Sequence, residues 1–390
     1  MTTVKTSEEN VIMMGGGKAS PDVFPGAELT AAATYIFQEK IAEALQYGPR
    51  PGYDPLRQRL VDEWNRQDGL DLKAEDTRIV TGAKQGLDMV VRALCSPGGC
   101  VIVCEPTYGT GMEIFRANGA QLIGVPNDEY GVDPDGIERA LRAVSPRPKF
   151  IFCMNDLNNP TGSICSEERR EKLVGIAERY GVPIVQDMTY RWLQFEGRPA
   201  RPLQQFDRRG NVITVGTFSK ILGPGMRVGW VHARKDILDR MAPFKSDGGT
   251  SPINQMLVYE LFKNDGSLEL FLEVRRRTYR RKRDVMLEAL AEEFKGTGAQ
   301  WNKPKGGYYV WLYLPGVDTD GLVDGTHALK GTGEAGGPQV IVIPGSHFYA
   351  GEPQRGFIRL AYSFEAEQRI RIGIRAVASA LLPALRRASL

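Results

Sequence analysis

Residues 212–232, VITVGTFSKILGPGMRVGWVH, decide the fold. A short apolar run, Val212 to Val215, ends in a polar turn that carries Thr217, Ser219 and Lys220, and a second apolar run, Val228 to His232, follows. The same unit recurs upstream. Arg78 to Val80 leads into TGAKQG, Val101 to Cys104 into EPTYG, Phe150 to Met154 into NDLNNPTG, and Pro183 to Gln186 into DMTY. Helix-like stretches lie between or beyond them, at Gly86 to Leu94, Gly109 to Ala117, Ser166 to Tyr180 and Asp236 to Phe244. Apolar runs alternating with helical patterns predict βαβ units, hence an α/β fold whose mostly parallel sheet is sandwiched by helices.

Beyond residue 265 the pattern changes. A charged helix is expected from about Leu268 to Phe294, then three strand-like runs, GGYYVWLYLP, VIVIPG and FIRLAYS, and a last helix from Glu365 to Arg387. This order predicts a smaller α+β domain. The expected division is an N-terminal arm with part of the small domain over 1–45, a large domain over 46–265 and a small C-terminal domain over 266–390.

Composition excludes several classes. The chain has 390 residues, 42% hydrophobic and 25% charged, as in ordinary globular proteins. A net charge of +3 gives no argument for nucleic acid or an anionic membrane as partner. No run of 18 apolar residues occurs, and the polar start, MTTVKTSEENVIMMGGG, has no apolar core behind a basic end. Five cysteines (Cys95, Cys100, Cys104, Cys153, Cys165), without a C-x-x-C pair, read as reduced thiols of a cytoplasmic protein. With only three histidines besides, no metal site is expected. The literal G-x-G-x-x-G at Gly331 to Gly336 follows no strand and reads as a loop, and RRRTYRRKR at Arg275 to Arg283 reads as a solvated helix face. Gly15-Gly16-Gly17-Lys18 lacks the spacing of a nucleotide-binding loop.

Ligands of open α/β sheets bind beyond the carboxyl ends of the strands, so the residues just after each run carry the information. Ala83 and Lys84 open a helix whose free N–H groups suit a phosphate. Tyr108 offers a flat ring, Asn159 an amide, Asp187 a carboxylate and Tyr190 a phenol. Thr217 and Ser219 add hydroxyls, Lys220 an amine and Arg227 a guanidinium. A phosphorylated aromatic aldehyde that needs a lysine would use all of them.

In order along the chain, LQYGPRPGYDPLR, TGAKQGLD, EPTYG, NNPTG, QDMTYRWLQFEG, GTFSKILGPGMRVGW, GGYYVWLYLP and FIRLAYS resemble the motifs of class I/II aminotransferases, pyridoxal 5′-phosphate (PLP) enzymes of fold type I. The aminoadipate-type and aromatic branch is the most similar, and the resemblance runs from about Gly15 to Leu382. It implies that Lys220 binds PLP as a Schiff base, a role that needs an amine activated by its site. It implies that Asp187 partners the pyridine nitrogen, that Asn159 and Tyr190 bond the phenolic oxygen, and that Tyr108 stacks on the ring. Ala83, Lys84, Thr217, Ser219 and Arg227 resemble the phosphate ligands, joined by Tyr47 from a neighbouring subunit, so that a homodimer with shared sites is implied. Arg359 resembles the arginine that grips the substrate α-carboxylate, with Gly17 and Asn159 beside it. The implied substrates are an L-amino acid and a 2-oxo acid.

Some positions depart from the family pattern. Asn155 stands where proline is common, Asn158 where glutamine or an aromatic is common, and Gln186 where an acidic residue usually precedes Asp187. Ala361 and Tyr362 replace Asn-Phe, and Ser246 to Pro252 is unusually rich in glycine. The sequence therefore leaves two enzymatic readings: an aminotransferase, or a PLP enzyme of specialised metabolism that performs β/γ-replacement, elimination, cyclisation or oxidation. A non-catalytic PLP-binding regulator would need a helix-turn-helix domain ahead of a cofactor pattern that begins by residue 15.

Overall fold

The computed structural model describes residues 10–333 and 337–388. The start of the N-terminal arm and the last three residues of the G-x-G-x-x-G stretch thus lie outside the described residues. Seven strands form one sheet: β2 (Thr77–Val80), β3 (Cys100–Glu105), β4 (Gln121–Pro126), β5 (Ile151–Cys153), β6 (Ile184–Asp187), β7 (Val212–Thr217) and β8 (Gly229–His232), in the order β2-β8-β7-β6-β5-β3-β4. All run parallel except β8, which lies antiparallel between β2 and β7.

The burial pattern explains why these runs read as continuous hydrophobic stretches. In β3, Val101 and Val103 join one core cluster while Ile102 and Cys104 join the other. In β5, Phe152 goes one way and Ile151 and Cys153 the other. Successive side chains of a strand point to opposite faces, so a sheet covered on both sides has no polar face to alternate with. The unit β4 with the helix Pro134–Ala143 was not among the expected elements. QLIGVP sits at the sheet edge, half exposed, and its mixed burial blurs the apolar signal.

The second body has a four-stranded antiparallel sheet, order β12-β13-β10-β9, from β9 (Gln300–Trp301), β10 (Tyr309–Tyr313), β12 (Ile343–Pro344) and β13 (Phe357–Ala361). The run VIVIPG is split. Its first part belongs to β11 (Gln339–Ile341), which pairs in parallel with β1 (Val11–Met13), and only its second part joins the main small sheet. The helices α10 (Ser267–Glu293) and α11 (Glu367–Ala388) pack on each other.

The basic run on α10 needs correction. Only part of it is a solvated face: Arg277, Arg280 and Arg281 are exposed, but Arg275, Tyr279, Lys282 and Arg283 are buried. They fall at helical spacings on one stripe, and the cations meet oxygens there. Arg275 Nε donates to the Ile221 carbonyl (3.1 Å), Lys282 Nζ to Ser20 Oγ (2.6 Å) and Arg283 Nη1 to the Pro304 carbonyl (2.6 Å). A charge count along the helix does not reveal which carbonyls will face it.

Candidate active site

The carboxyl ends of β2, β3, β5, β6 and β7 open onto a cavity of about 460 Å³, closed on the far side by the small body. Every site residue selected from sequence lines it, except Tyr47. Tyr47 is 86% exposed and lies against the glycine-rich stretch in a separate depression with Asp247 to Thr250.

At the phosphate end, Gly82 turns the chain from β2 into the helix α4 (Ala83–Leu94) with φ of 81°. No side chain caps this helix, and among the described residues the Ala83 and Lys84 N–H groups meet no acceptor. Such groups at a helix start form an anion site. A Cβ on Gly82 would come within 2.7 Å of Arg227 Nη2, so only glycine lets the guanidinium lie across the turn. Arg227 donates to the Thr81 carbonyl (2.7 Å) from a left-handed backbone position, φ 49°. Thr217 and Ser219 complete the cradle with hydroxyls 2.9 Å apart.

Asp187 ends β6, fully buried, with one carboxylate oxygen accepting the Thr189 N–H (2.8 Å). Burial pushes its carboxyl above the ordinary range, while the Thr189 contact and the positive charge of Lys220 oppose the shift. Lys220 follows β7 and donates to the Gly17 carbonyl (2.7 Å). Burial and the nearby Arg359 bring its ammonium down to about 8, with Asp187 pulling the other way. An amine with that pKa is neutral to roughly a tenth at pH 7 and mostly neutral by pH 9, and the neutral form is the nucleophile toward carbonyls. Tyr108 flanks this group, and burial raises its phenol to about 12.

Arg359, on β13, donates from Nη1 to Asn159 Oδ1 (2.8 Å) and from Nη2 to the Gly15 carbonyl. Its Nε is buried without an acceptor. Its guanidinium sits over the rings of Tyr309 (4.2 Å) and Phe348 (4.8 Å). Sequence reasoning missed Tyr309. Its hydroxyl lies 2.7 Å from that of Tyr190, and a Cβ on Gly17 would fall 2.0 Å from the same oxygen. The apolar look of GGYYVWLYLP concealed it among strand residues. Glu113, Thr110, His327, Ile343, His347 and Phe348 also line the cavity and were not selected. Thr110 and Glu113 lie on the helix Gly109–Ala117, Ile343 lies on β12 with His347 and Phe348 in the turn after it, and His327 comes from a loop; the ends of the small sheet's runs are not marked as ligand sites by the parallel-strand rule.

Two of the departures noted in the sequence lie under the strand ends. Asp156, 1% exposed, accepts from Arg170 (2.8 Å), Arg191 (2.9 Å) and Gln186 (3.2 Å). Burial opposes ionisation, but the two guanidiniums outweigh it and hold the carboxyl below its usual range. Gln186 thus belongs to a buried ion cluster that fixes the loop leading to Asn159, and Asn155 offers Arg170 its carbonyl (2.8 Å). Neither lines the cavity.

The residues fit a phosphorylated pyridine aldehyde. Two orphan N–H groups, two hydroxyls and a guanidinium await a phosphate; a buried carboxylate faces the same cavity as a lysine of lowered pKa; and an arginine has an unmet Nε. Comparison with known proteins agrees. Residues 20–377 match the model of the aminotransferase class I and II family. Aromatic-amino-acid aminotransferase 1 of Thermococcus litoralis is 31% identical over 384 residues, covering 97% of this chain and 89% of that protein. The 2-aminoadipate transaminase of Thermus thermophilus is 34% identical over 382 residues, covering 96% and 91%. The crystal structure of an alpha-aminoadipate aminotransferase from Thermus thermophilus, complexed with N-(5′-phosphopyridoxyl)-L-leucine, superposes with a TM-score of 0.87 at 33% identity, covering 97% of this chain and 94% of that one. From sequence, fold and cavity together, the chain belongs to the class I and II aminotransferase family.

Proposed function

We propose that the protein is a PLP-dependent aminotransferase that moves the amino group of an L-amino acid to a 2-oxo acid. The observation that carries this is the convergence of Lys220, Asp187 and Arg359 on one cavity with a phosphate cradle at its end. When bound, PLP supplies a carbonyl that condenses with amines and a ring that accepts the electron pair released at the substrate α-carbon.

The chain's own residues do the rest. Ala83 and Lys84 N–H, Thr217, Ser219 and Arg227 hold the phosphate. Asp187 keeps a proton on the ring nitrogen, and its burial makes that ion pair strong. Asn159 and Tyr190 hydrogen-bond the phenolic oxygen, and Tyr108 covers the ring face. Lys220 would hold the cofactor's carbonyl carbon through its neutral Nζ, and the same Nζ, when free, would carry a proton to and from the substrate α-carbon. Arg359 receives the α-carboxylate as a bidentate fork, exchanging the Gly15 carbonyl for it and engaging its free Nε. Gly17 lets the chain pass close over the substrate.

The working unit in this reading is a homodimer in which Tyr47 reaches the partner's phosphate. Its support is the exposure of Tyr47 and of Phe37, Ile41 and Leu45 on the adjoining helices. The proposed division keeps an N-terminal arm and part of the small domain over 1–45, a large domain over 46–265 and a small domain over 266–390; its support is that the seven-stranded sheet falls within 77–232 and the four-stranded sheet within 300–361. A reducing cytoplasmic setting fits five unpaired, buried cysteines. Among the described residues no helix is long and apolar enough to cross a membrane.

The test is to give the PLP-loaded protein a panel of L-amino acids with a 2-oxo acid and to follow products by mass spectrometry. Transamination yields a new 2-oxo acid and a new amino acid in equal amounts. Consumption of the donor with no new amino acid would overturn this reading in favour of replacement, cyclisation or oxidation.

A further inference from the structure

The charges that this chain itself brings to the cavity can be matched one by one. The charged residues lining it are Lys84, Glu113, Asp187, Lys220, Arg227 and Arg359. On the aminotransferase reading, which this inference extends, Arg227 faces a phosphate that carries close to two negative charges near neutral pH, at the helix start where Lys84 sits. Arg359 takes the α-carboxylate, Asp187 takes the protonated ring nitrogen, and Lys220 is consumed by the chemistry. Glu113 alone is left without a counter-charge. It forms no ion pair or hydrogen bond among the described residues, and it projects from the first turns of the helix Gly109–Ala117 at the exposed rim of the cavity.

The remaining wall adds no lysine or arginine. His327 and His347 face each other with Nε2 atoms 3.2 Å apart, each within hydrogen-bond reach of the other. Burial, His347 and Arg359 all push the His327 imidazole below its ordinary pKa. A side-chain carboxylate entering here would meet Glu113 and a histidine pair already facing each other, while Arg227 and Arg359 are committed to the phosphate and the α-carboxylate. Ile343 and Phe348 offer instead an apolar strip, on which an aliphatic stem packs well while its charged head reaches out to the rim.

We propose that the amino donor carries a cationic side chain, an ammonium or guanidinium on an aliphatic stem, and that Glu113 is the specificity residue that receives it.

The experiment measures kcat/KM of the PLP-loaded enzyme for lysine, ornithine, arginine, norleucine, glutamate and phenylalanine, together with calorimetric binding of the same six. The wild type is expected to favour the best cationic donor over norleucine by about tenfold or more, the size of one charge-assisted hydrogen bond. Glu113→Gln should collapse that ratio, and Glu113→Arg should invert it in favour of glutamate. Highest kcat/KM for glutamate or phenylalanine in the wild type, or a cation-to-norleucine ratio unmoved in Glu113→Gln, would overturn the proposal. Selective binding of the cationic amino acids without any amino transfer would support this inference and overturn the aminotransferase reading. Amino transfer without cationic preference would do the reverse.

Discussion

The cofactor end of the cavity rests on the carboxyl ends of parallel strands in one sheet. The side-chain end is assembled from one helix turn of the large body and from loops of the small body around His327 and His347. At the first end each functional group sits at a fixed offset after a buried strand, so its position is set by backbone hydrogen bonding. At the second, positions depend on how two bodies meet. Chemistry common to many substrates can be anchored rigidly, whereas the part that distinguishes substrates sits where small loop changes re-aim it.

Substitutions can sharpen or break this contrast. Lys220→Ala should lower amino transfer by at least about a thousandfold, since it removes both nucleophile and proton carrier. Borohydride reduction of the PLP-loaded wild type followed by peptide mapping should label Lys220; a label on another lysine would refute the assignment. Arg359→Lys replaces a fork by a point charge and should cost about 2–5 kcal/mol. That is roughly 30-fold to several-thousand-fold in kcat/KM at about 1.4 kcal/mol per tenfold, with PLP still bound. Near-normal kcat/KM would mean that the α-carboxylate is held elsewhere.

The lowered pKa of Lys220 gives a pH dependence for the apoprotein. Only the neutral amine attacks a carbonyl, and its fraction rises through a pKa of about 8. The rate of covalent PLP capture, followed by absorbance, should therefore rise about tenfold from roughly pH 7 to pH 9. A flat profile across that window would contradict the lowered pKa. The smallest effect is expected for Tyr309→Phe. It removes the hydroxyl 2.7 Å from Tyr190 while keeping the ring under Arg359. One neutral hydrogen bond suggests a loss of a few-fold in kcat, with KM nearly constant. A shift in the pH titration of the bound cofactor's absorbance would tie the loss to Tyr190, and an unmoved titration would confine Tyr309 to packing.

Much of the cofactor end was legible in sequence because a parallel strand announces itself by its apolar run and the next few residues are then placed at its carboxyl end. Lys220, Asp187, Asn159, Tyr190 and Arg359 were found in this way or through motif resemblance. Tyr309 was not, because in a strand buried on both faces a tyrosine that lines a site looks like one that packs. Glu113 and His327 carry no such marker, and His347 follows VIVIPG, a run of the small antiparallel sheet; only the assembled cavity puts them together. The α10 run failed for a related reason. Buried arginines are recognisable only once the carbonyls that receive them have been positioned by other segments.

Arg227 combines a needed side chain with an unfavourable backbone. A left-handed φ of 49° costs a non-glycine residue about 1 kcal/mol. Glycine would relieve it and delete the guanidinium that bridges the strand-to-helix turn and, in the proposed function, holds the phosphate. The position thus holds two optima that exclude each other, one for the empty fold and one for the loaded enzyme. A population of variants selected only for thermal endurance without cofactor would drift toward glycine here and arrive at a sturdier protein that has lost its grip on the phosphate. In the proposed function, keeping arginine is a record of selection on the holoenzyme, written in a single backbone angle.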